Sequence, residues 1–154
     1  MTTQTKCWRI IDLINWGVKH FSENGIENSR LEIEWLLCNV LDCQRIDLYI
    51  QFESPLYDDD LTKLRHMVRR RISGEPFQHI LERGSFYGRD FEVNKNVLIP
   101  RPETELLIER LKALGRVNSL LDIGTGSGCI AITASLEKLA ENIFATDSSV
   151  LALS

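Results

Sequence analysis

The sequence predicts a small α-helical bundle, followed by a β-hairpin and the first strand–helix–strand part of a parallel α/β domain. Three observations predict this fold class. Apolar residues recur at helical spacing in the first part of the chain, and apolar and polar residues alternate after Pro76. Near the end, three glycines stand at alternate positions between an apolar run and a helical pattern. We place the domains at residues 1–75, 76–99 and 100–154.

Length and composition limit the class of protein. A chain of 154 residues holds one domain or two small ones, and 44% hydrophobic with 26% charged residues is ordinary for a globular protein. The net charge of −4 provides no general attraction to nucleic acid or membrane, so we expect neither as a partner.

The cysteines and the N-terminus suggest where the protein resides. Cys7, Cys38, Cys43 and Cys129 form no C-x-x-C pair and no zinc-ligand spacing, so we expect reduced thiols and no metal site. The N-terminus lacks the apolar segment of a signal peptide, and no apolar run approaches membrane-spanning length. We therefore expect a cytoplasmic protein.

The first predicted helix has a single apolar face and ends at Asn24-Gly25. That face consists of Trp8, Ile11, Ile14, Val18 and Phe21. A capping box predicts the start of the second helix, with Ser29 as N-cap and Glu32 reaching back to it.

Two further helices complete the predicted bundle. A short one lies near residues 46–50. The other begins at residues 58–60, three aspartates that suit a helix N-terminus, and ends before Gly74 and Pro76. The run at residues 69–71, three arginines, is either a basic patch for a partner or the solvated face of this helix.

After Pro76 the spacing of apolar residues changes from that of helices to that of strands. Residues 78–86 and 90–97 predict a hairpin around Tyr87-Gly88-Arg89. A helix opens at Glu103-Thr104-Glu105 and ends near Gly115. After it we predict a strand at 119–123, a helix at 129–139 and a strand at 142–147, which make one β-α-β unit.

The glycine loop of this unit is the candidate functional site. It consists of Gly124, Thr125, Gly126, Ser127 and Gly128, with Asp122 before it and Asp147 at the end of the next strand. Glycine tolerates positive φ and lets a ligand approach the backbone, and ligands of open α/β sheets bind at the carboxyl ends of the strands. A carboxylate at position 147 suits a ribose diol, so the pattern predicts a nucleoside-type cofactor.

Other glycine loops fit less well. The dinucleotide fingerprint needs G-x-G-x-x-G, whereas the spacing here is G-x-G-x-G, and no Lys-Ser or Lys-Thr pair follows as in a phosphate-binding loop. The G-x-G-x-G pattern after an acid is typical of class I S-adenosylmethionine-dependent methyltransferases. A glycine-rich turn without a ligand is the alternative, and for Asp147 the alternative is a turn residue before Ser148-Ser149.

Three strings in the chain together carry a family resemblance. They are Phe86-Tyr87-Gly88, the I-P-R-P-E-T-E string at residues 99–105, and Leu121-Asp122-Ile123-Gly124-Thr125-Gly126-Ser127-Gly128. The chain resembles the HemK/PrmC family, the methyltransferases that modify the glutamine side chain of peptide-chain release factors. The I-P-R-P-E-T-E string is far more specific than the glycine loop, and the resemblance covers nearly the whole chain.

The resemblance implies a fold, a cofactor and a partner. The helical bundle would recognise the substrate, and a Rossmann-like class I domain would bind S-adenosylmethionine, with Asp122 and the loop amides around its methionine portion and Asp147 on its ribose. The R-P-E-T-E segment would lie beside the cofactor; Thr104 either contacts it or is simply a first-turn hydroxyl. Arg101 contacts a ligand or pairs with a neighbouring glutamate, and Phe86 and Tyr87 cover the transfer site or pack at a domain interface. The implied partner is a release factor, free or on the ribosome.

One departure from the family pattern is decisive. The family's substrate motif, Asn-Pro-Pro-Tyr, has no match in this chain, so we assign no catalytic residue here and expect the 154-residue chain to be inactive alone. The rival interpretation is a non-catalytic binding or adaptor module with a vestigial Rossmann-like half. A nicotinamide-dependent oxidoreductase is a third option, which the glycine spacing disfavours.

Overall fold

A computed structural model describes residues 7–153 of the chain. These residues belong to two compact units, residues 1–77 (unit 1) and residues 78–154 (unit 2). A helical region followed by an α/β portion is thus confirmed.

In the described part of unit 1, from residue 7 onward, four helices enclose an apolar core. They are α1 (Ile10–Glu23), α2 (Ser29–Leu41), α3 (Arg45–Ile50) and α4 (Asp58–Ile72). The predictions of a short helix near residues 46–50 and of a helix that begins at the three aspartates are confirmed. The largest fully buried apolar side chains in this unit come from α1, α2 and α3: Ile14, Phe21, Ile33, Leu36, Leu37 and Leu48.

The buried face of α1 is rotated from the predicted one. Ile10, Leu13 and Gly17 are buried with Ile14 and Phe21, whereas three residues of the predicted face, Trp8, Ile11 and Val18, are only half-buried. The physical reason is the close contact of α1 with α2: a Cβ added at Gly17 would lie 2.3 Å from Cγ1 of Ile33. Helical spacing of apolar residues alone does not reveal that a glycine belongs to the packed face.

The predicted capping box at the start of α2 is wrong. Asn28 is the N-cap and makes no side-chain capping hydrogen bond, while the Ser29 hydroxyl donates to the carbonyl oxygen of Ile26. The Glu32 carboxylate instead pairs with Arg71 on α4, with 2.6 Å between Oε2 and Nε. An ion pair between helices α2 and α4 thus replaces the predicted capping interaction within α2.

A capping box does occur at the start of α3. There the Gln44 side chain and the Asp47 carboxylate cap each other's backbone N–H groups. The arginine run of α4 is also accounted for in part. Arg70 pairs with Glu75 at 2.6 Å and Arg71 with Glu32, so two of its three cations are engaged within unit 1.

A short helix, α5 (Phe77–Leu81), stands where the sequence predicts the start of a strand. Pro76 precedes it directly, and proline favours the first turn of a helix because its fixed φ suits that position. Alternation of apolar and polar residues over so short a stretch is compatible with either structure. The prediction of a strand over residues 78–82 is therefore wrong.

The hairpin itself is confirmed but shorter than predicted. Strands β1 (Arg83–Phe86) and β2 (Arg89–Glu92) pair antiparallel through a two-residue turn. Both turn residues, Tyr87 and Gly88, have positive φ, 53° and 69°, which is the type I′ geometry that matches the twist of a hairpin.

The rest of unit 2 forms the predicted β-α-β order. After a 3-10 turn (Pro102–Thr104) come α6 (Glu105–Leu114), β3 (Val117–Ile123), α7 (Cys129–Leu136) and β4 (Ala140–Thr146). Helix α7 ends three residues earlier than predicted because Lys138 turns left-handed, at φ 56°, and Leu139 N–H donates to the Ala134 carbonyl.

Strands β3 and β4 pair in parallel, so the side chains of paired residues share a face of the two-stranded sheet. One face packs on a core to which the hairpin, α6 and α7 contribute, with Leu120 and Ile143 against it. On the opposite face Leu121, Ile123 and Phe144 are exposed. Among the described residues no helix is long and apolar enough to cross a membrane.

Candidate cofactor site at the end of strand β3

The glycine loop joins the carboxyl end of β3 to the N-terminus of α7. Its glycines, Gly124, Gly126 and Gly128, have φ of 78°, 55° and 74°, a region that side chains rarely adopt. A Cβ added at Gly124 or Gly126 would meet no atom within 4 Å, whereas one at Gly128 would lie 3.0 Å from Cδ1 of Ile132. The loop therefore has an open side above its first two glycines and a packed side against α7.

The first N–H groups of the loop point to the end of β4. Those of Gly124 and Thr125 donate to the Thr146 carbonyl oxygen, at 2.8 and 2.9 Å, and that of Gly126 donates to Asp147 Oδ2 at 2.9 Å. These bonds hold the loop against the second strand of the sheet. A ligand at this loop would therefore rely on the loop's other donors, including the unpaired N–H groups that a helix N-terminus presents.

Asp122 is the penultimate residue of strand β3, and its side chain is buried. Its carboxylate accepts a hydrogen bond from the Thr125 hydroxyl at 2.7 Å, and Thr125 is itself buried. The two residues lie on either side of the chain reversal at Gly124, so the bond braces the start of the loop. A buried carboxylate at the carboxyl end of a parallel strand lies where α/β sheets bind ligands.

Asp147 follows β4 directly and caps a turn. Its Oδ1 accepts the Ser149 N–H at 2.9 Å, while Oδ2 accepts that of Gly126. These backbone N–H groups, Ser149 foremost, hold the pKa of the carboxyl below its ordinary value. Each carboxylate oxygen has a second lone pair, so this anion can also accept a ligand hydroxyl.

Ser127 and Cys129 lie at the junction of loop and helix. The Ser127 hydroxyl is buried and lies next to the thiol of Cys129. Cys129 is the first residue of α7. Burial raises the pKa of this thiol, so it stays protonated at neutral pH. Cys129 thus acts as a small apolar side chain in the core.

Thr104, the remaining predicted site residue, ends the 3-10 turn before α6. Its N–H donates to the Arg101 carbonyl at 3.0 Å, and within residues 7–153 no hydrogen bond joins it to the glycine loop. Nor does Arg101 form an ion pair with a neighbouring glutamate in this part of the chain. The partner of Glu105 is different: its Oε1 accepts the backbone N–H of Tyr87 at 2.8 Å.

The hairpin tip belongs to a charged network. Lys112 Nζ lies 2.7 Å from the Tyr87 hydroxyl and 2.8 Å from Glu137, which also pairs with Arg89 at 2.6 Å. The Tyr87 hydroxyl also donates to Glu109. Because Glu137 caps the C-terminus of α7, the network lies about 12 Å along that helix from the glycine loop.

The structure supports neither interpretation of the hairpin aromatics, cover over the transfer site or packing at a domain interface. Phe86 is fully buried in the core of unit 2 beside Phe91, with ring centroids 6.2 Å apart. Neither aromatic therefore covers the open side of the glycine loop. Alternation of polar and apolar residues could have indicated the burial of Phe86, but not the partners of Tyr87.

The helical region of the chain is similar to a known family of protein domains. Residues 12–81 match the family model described as the PrmC N-terminal domain. This confirms the resemblance to the HemK/PrmC family. The matched residues run from α1 to α5, so they cover the helical region and stop before the glycine loop.

Relatives of known name extend the match beyond the helices. A release factor glutamine methyltransferase of Geobacter sulfurreducens is 43% identical over 86% of this chain and 47% of its own length. Those of Chlorobaculum tepidum and Bacillus subtilis are 42% and 35% identical, over 97% and 94% of this chain and 54% and 52% of their own lengths. The chain thus spans about half the length of the curated relatives that it matches.

Proposed function

We propose that this chain contributes the helical region and the cofactor loop of an S-adenosylmethionine-dependent methyltransferase that acts on the glutamine side-chain amide of peptide-chain release factors. The observation that carries the proposal is the glycine loop. It follows β3, presents two left-handed glycines with open space above them, and leads into the N-terminus of α7. It lies in a chain similar to release factor glutamine methyltransferases.

The residues of the loop fit S-adenosylmethionine. The open side at Gly124 and Gly126 admits a ligand where a side chain would otherwise stand. Asp147 has lone pairs to accept ribose hydroxyls, and the buried Asp122 fixes the loop through Thr125. When bound, this cofactor supplies a methyl group that its positive sulfur already activates. The residues of this chain bind the cofactor and orient its methyl group, as preorganised sites do.

The glutamine amide, which is the nucleophile of such a reaction, needs hydrogen-bond acceptors that we do not find in this chain. An amide nitrogen is a weak nucleophile because its lone pair is delocalised into the carbonyl, so acceptors must be aimed at its N–H hydrogens. The family motif expected to provide them, Asn-Pro-Pro-Tyr, is absent from the sequence. We therefore propose that the 154-residue chain does not transfer the methyl group by itself, and that it binds the cofactor weakly because the sheet that carries the loop has one bare face.

Calorimetric titration with S-adenosylmethionine tests the cofactor site. Gly126→Val, at φ 55°, should abolish the heat of binding because valine strains the backbone and fills the open side. Gly88→Val is the matched control: φ there is 69°, a Cβ meets no atom within 4 Å, and the residue lies in the hairpin turn, outside the loop. Equal loss in both variants, or binding that survives Gly126→Val, would contradict the assignment.

Transfer of a labelled methyl group to a release factor tests the activity. The chain alone is compared with the chain extended by the remaining C-terminal part of the Chlorobaculum tepidum relative. We expect turnover only from the extended chain. Turnover by the chain alone at a similar rate would overturn the role given to the absent motif, and none from a folded, cofactor-binding extended chain would favour the adaptor interpretation.

A further inference from the structure

Two cysteines meet where helix α2 ends, in unit 1 and far along the chain from the glycine loop. Asp42 follows the helix in the left-handed conformation, φ 49°, and the N–H groups of both Asp42 and Cys43 donate to the Cys38 carbonyl oxygen. The bond from Cys43 is 3.1 Å long. A 6→1 bond around a left-handed residue is the Schellman cap, in which the side chains of the two bonded residues commonly touch.

This cap brings the cysteines within disulfide range. With the N–O distance of 3.1 Å and standard bond lengths, the Cα atoms of Cys38 and Cys43 cannot be more than about 7 Å apart. Disulfides join Cα atoms that are about 4.4 to 6.8 Å apart. The two thiols are also close enough for each to perturb the pKa of the other. Backbone and side chains thus place one sulfur beside the other.

The two thiols differ in access. Cys38 is buried in the core of unit 1, whereas Cys43 is partly exposed and lines a groove together with Leu48, Gln51 and Asp60. A small oxidant can therefore reach Cys43, and Cys38 stands behind it in position to react next. An accessible thiol with a second thiol in contact is the arrangement of a redox-active pair.

We propose that Cys38 and Cys43 form an oxidisable pair that a hydroperoxide converts to a disulfide across the end of α2. The Cys43 thiolate attacks the peroxide: an S–O bond forms, the O–O bond breaks, and an alcohol or water leaves. Cys38 sulfur then attacks the sulfenic acid, its proton joins the departing hydroxide, and water is released. The two thiols lose two electrons, and the peroxide gains them.

The surroundings make this pair slow to react. Burial raises the pKa of both thiols, that of Cys38 to about 12, and the carboxylates of Asp47 and Asp42 raise that of Cys43 further. The thiolate is the nucleophile, so little of it is present at neutral pH. The disulfide should therefore form under excess peroxide and not in air.

Mass spectrometry of the full chain after treatment with hydrogen peroxide tests the pair. A Cys7→Ser background removes the exposed thiol that could link two chains. We expect the loss of two hydrogen atoms, located in the peptide that holds both cysteines. Cleavage before Asp42 separates Cys38 from Cys43, so the two fragments should stay joined until a reductant is added.

Matched variants assign the bond. Cys43→Ser and Cys38→Ala should each abolish the mass loss, whereas Cys129→Ala, which removes another buried thiol, should leave it unchanged. Both cysteines alkylating fully after peroxide would overturn the proposal, as would oxidation of Cys43 to a sulfinic acid while Cys38 stays a thiol. The test uses neither cofactor nor release factor, so it stands apart from the proposed methyl transfer.

Discussion

Unit 1 and unit 2 differ in how far they bury their large apolar side chains. Unit 1 surrounds its core with helices, and several of the large apolar side chains that it exposes are Trp or Tyr, which carry a polar group. Unit 2 leaves one face of its two-stranded sheet open, with Leu121 57%, Ile123 78% and Phe144 58% exposed. Parallel sheets are normally covered on both faces. The helices of unit 1 therefore cover its core, whereas the sheet of unit 2 has one bare face.

This difference matters for the candidate site. The glycine loop, Asp122 and Asp147 all stand at the carboxyl end of the incompletely covered sheet. The site consequently stands on a sheet that has one bare apolar face. Any measurement of cofactor binding depends on how well β3 and β4 hold together.

The largest effect we expect comes from separating the units. Residues 1–77 alone should melt cooperatively, because their helices cover a core of their own. Residues 78–154 alone should bind a hydrophobic dye and associate, because a bare apolar face and open strand edges attract other chains. Circular dichroism melts and light scattering measure both. A monomeric, cooperatively melting second fragment would break the comparison.

Loss of the Glu34 carboxylate should cost unit 1 about 1.5–3 kcal/mol, the scale of lost hydrogen bonds to a charged group, because the partly exposed Arg30 and Arg45 can turn to water. This side chain is fully buried and accepts hydrogen bonds from Arg30, Arg45 and Tyr49, so Glu34→Ala leaves three donors without their acceptor. All three tryptophans lie in unit 1, so fluorescence during urea unfolding follows this unit.

Glu23→Ala is the control for this variant. Glu23 is exposed, and its ion pair with Lys19 is 3.9 Å long, so its removal should change the free energy of unfolding by less than about 0.5 kcal/mol. Equal losses for Glu23→Ala and Glu34→Ala would show that the buried network does not stabilise unit 1.

The contact of α1 with α2 should tolerate no side chain at residue 17. Gly17→Ala places a methyl group against Ile33, and overpacking of this kind costs about 1–3 kcal/mol. The double variant with Ile33→Ala should be less destabilised than the sum of the two single changes, because each makes room for the other. If the free-energy changes of the two single variants add strictly in urea unfolding, the side chains at positions 17 and 33 do not contact each other.

Acid should weaken unit 1 through Glu34. Burial tends to raise the pKa of this carboxyl, but the hydrogen bonds from Tyr49 and Arg45 and the arginine charges outweigh it, so the pKa is lowered on folding. Its contribution to stability is then present above the unfolded-state pKa and is lost as pH falls through the lower folded-state value. Fluorescence-monitored unfolding should show this loss in the natural chain and a flatter profile in Glu34→Gln.

The smallest effect on stability should come from the bare sheet face. Phe144→Lys should change the free energy of unfolding by less than about 0.5 kcal/mol, since the side chain is already exposed, yet it should reduce self-association. Asn142→Lys adds the same charge to the same strand face without removing apolar surface. If both variants reduce association equally, net charge and not the apolar face is responsible.

Much of the architecture could be predicted because it depends on local signals. The three aspartates, Gly74 and Pro76 delimit α4, and the glycine loop stands between β3 and α7 as expected. Predictions failed where a distant partner decides the outcome. Glu32 prefers Arg71 to its own helix N-terminus, and the α1 face turns so that Gly17 can meet Ile33.

The candidate site shows the same division. The positions of Asp122 and Asp147 at the strand ends follow from periodicity, but their hydrogen bonds to Thr125 and to backbone N–H groups do not. A sequence pattern places a residue on an element, whereas its partners depend on how the chain folds back. For that reason, no local signal links Glu105 to Tyr87.

The bond between Glu105 and the Tyr87 N–H bears on which mutations the hairpin can accept. Since Glu105 binds the backbone and not the ring, any residue that tolerates the left-handed turn can keep this bond at position 87. Position 105 has less latitude, because it must supply an acceptor oxygen at the reach of glutamate: aspartate is one methylene shorter, whereas glutamine keeps the oxygen. In a saturation-mutagenesis screen, 87 should accept Asn and Asp, and 105 should accept Gln before any other residue.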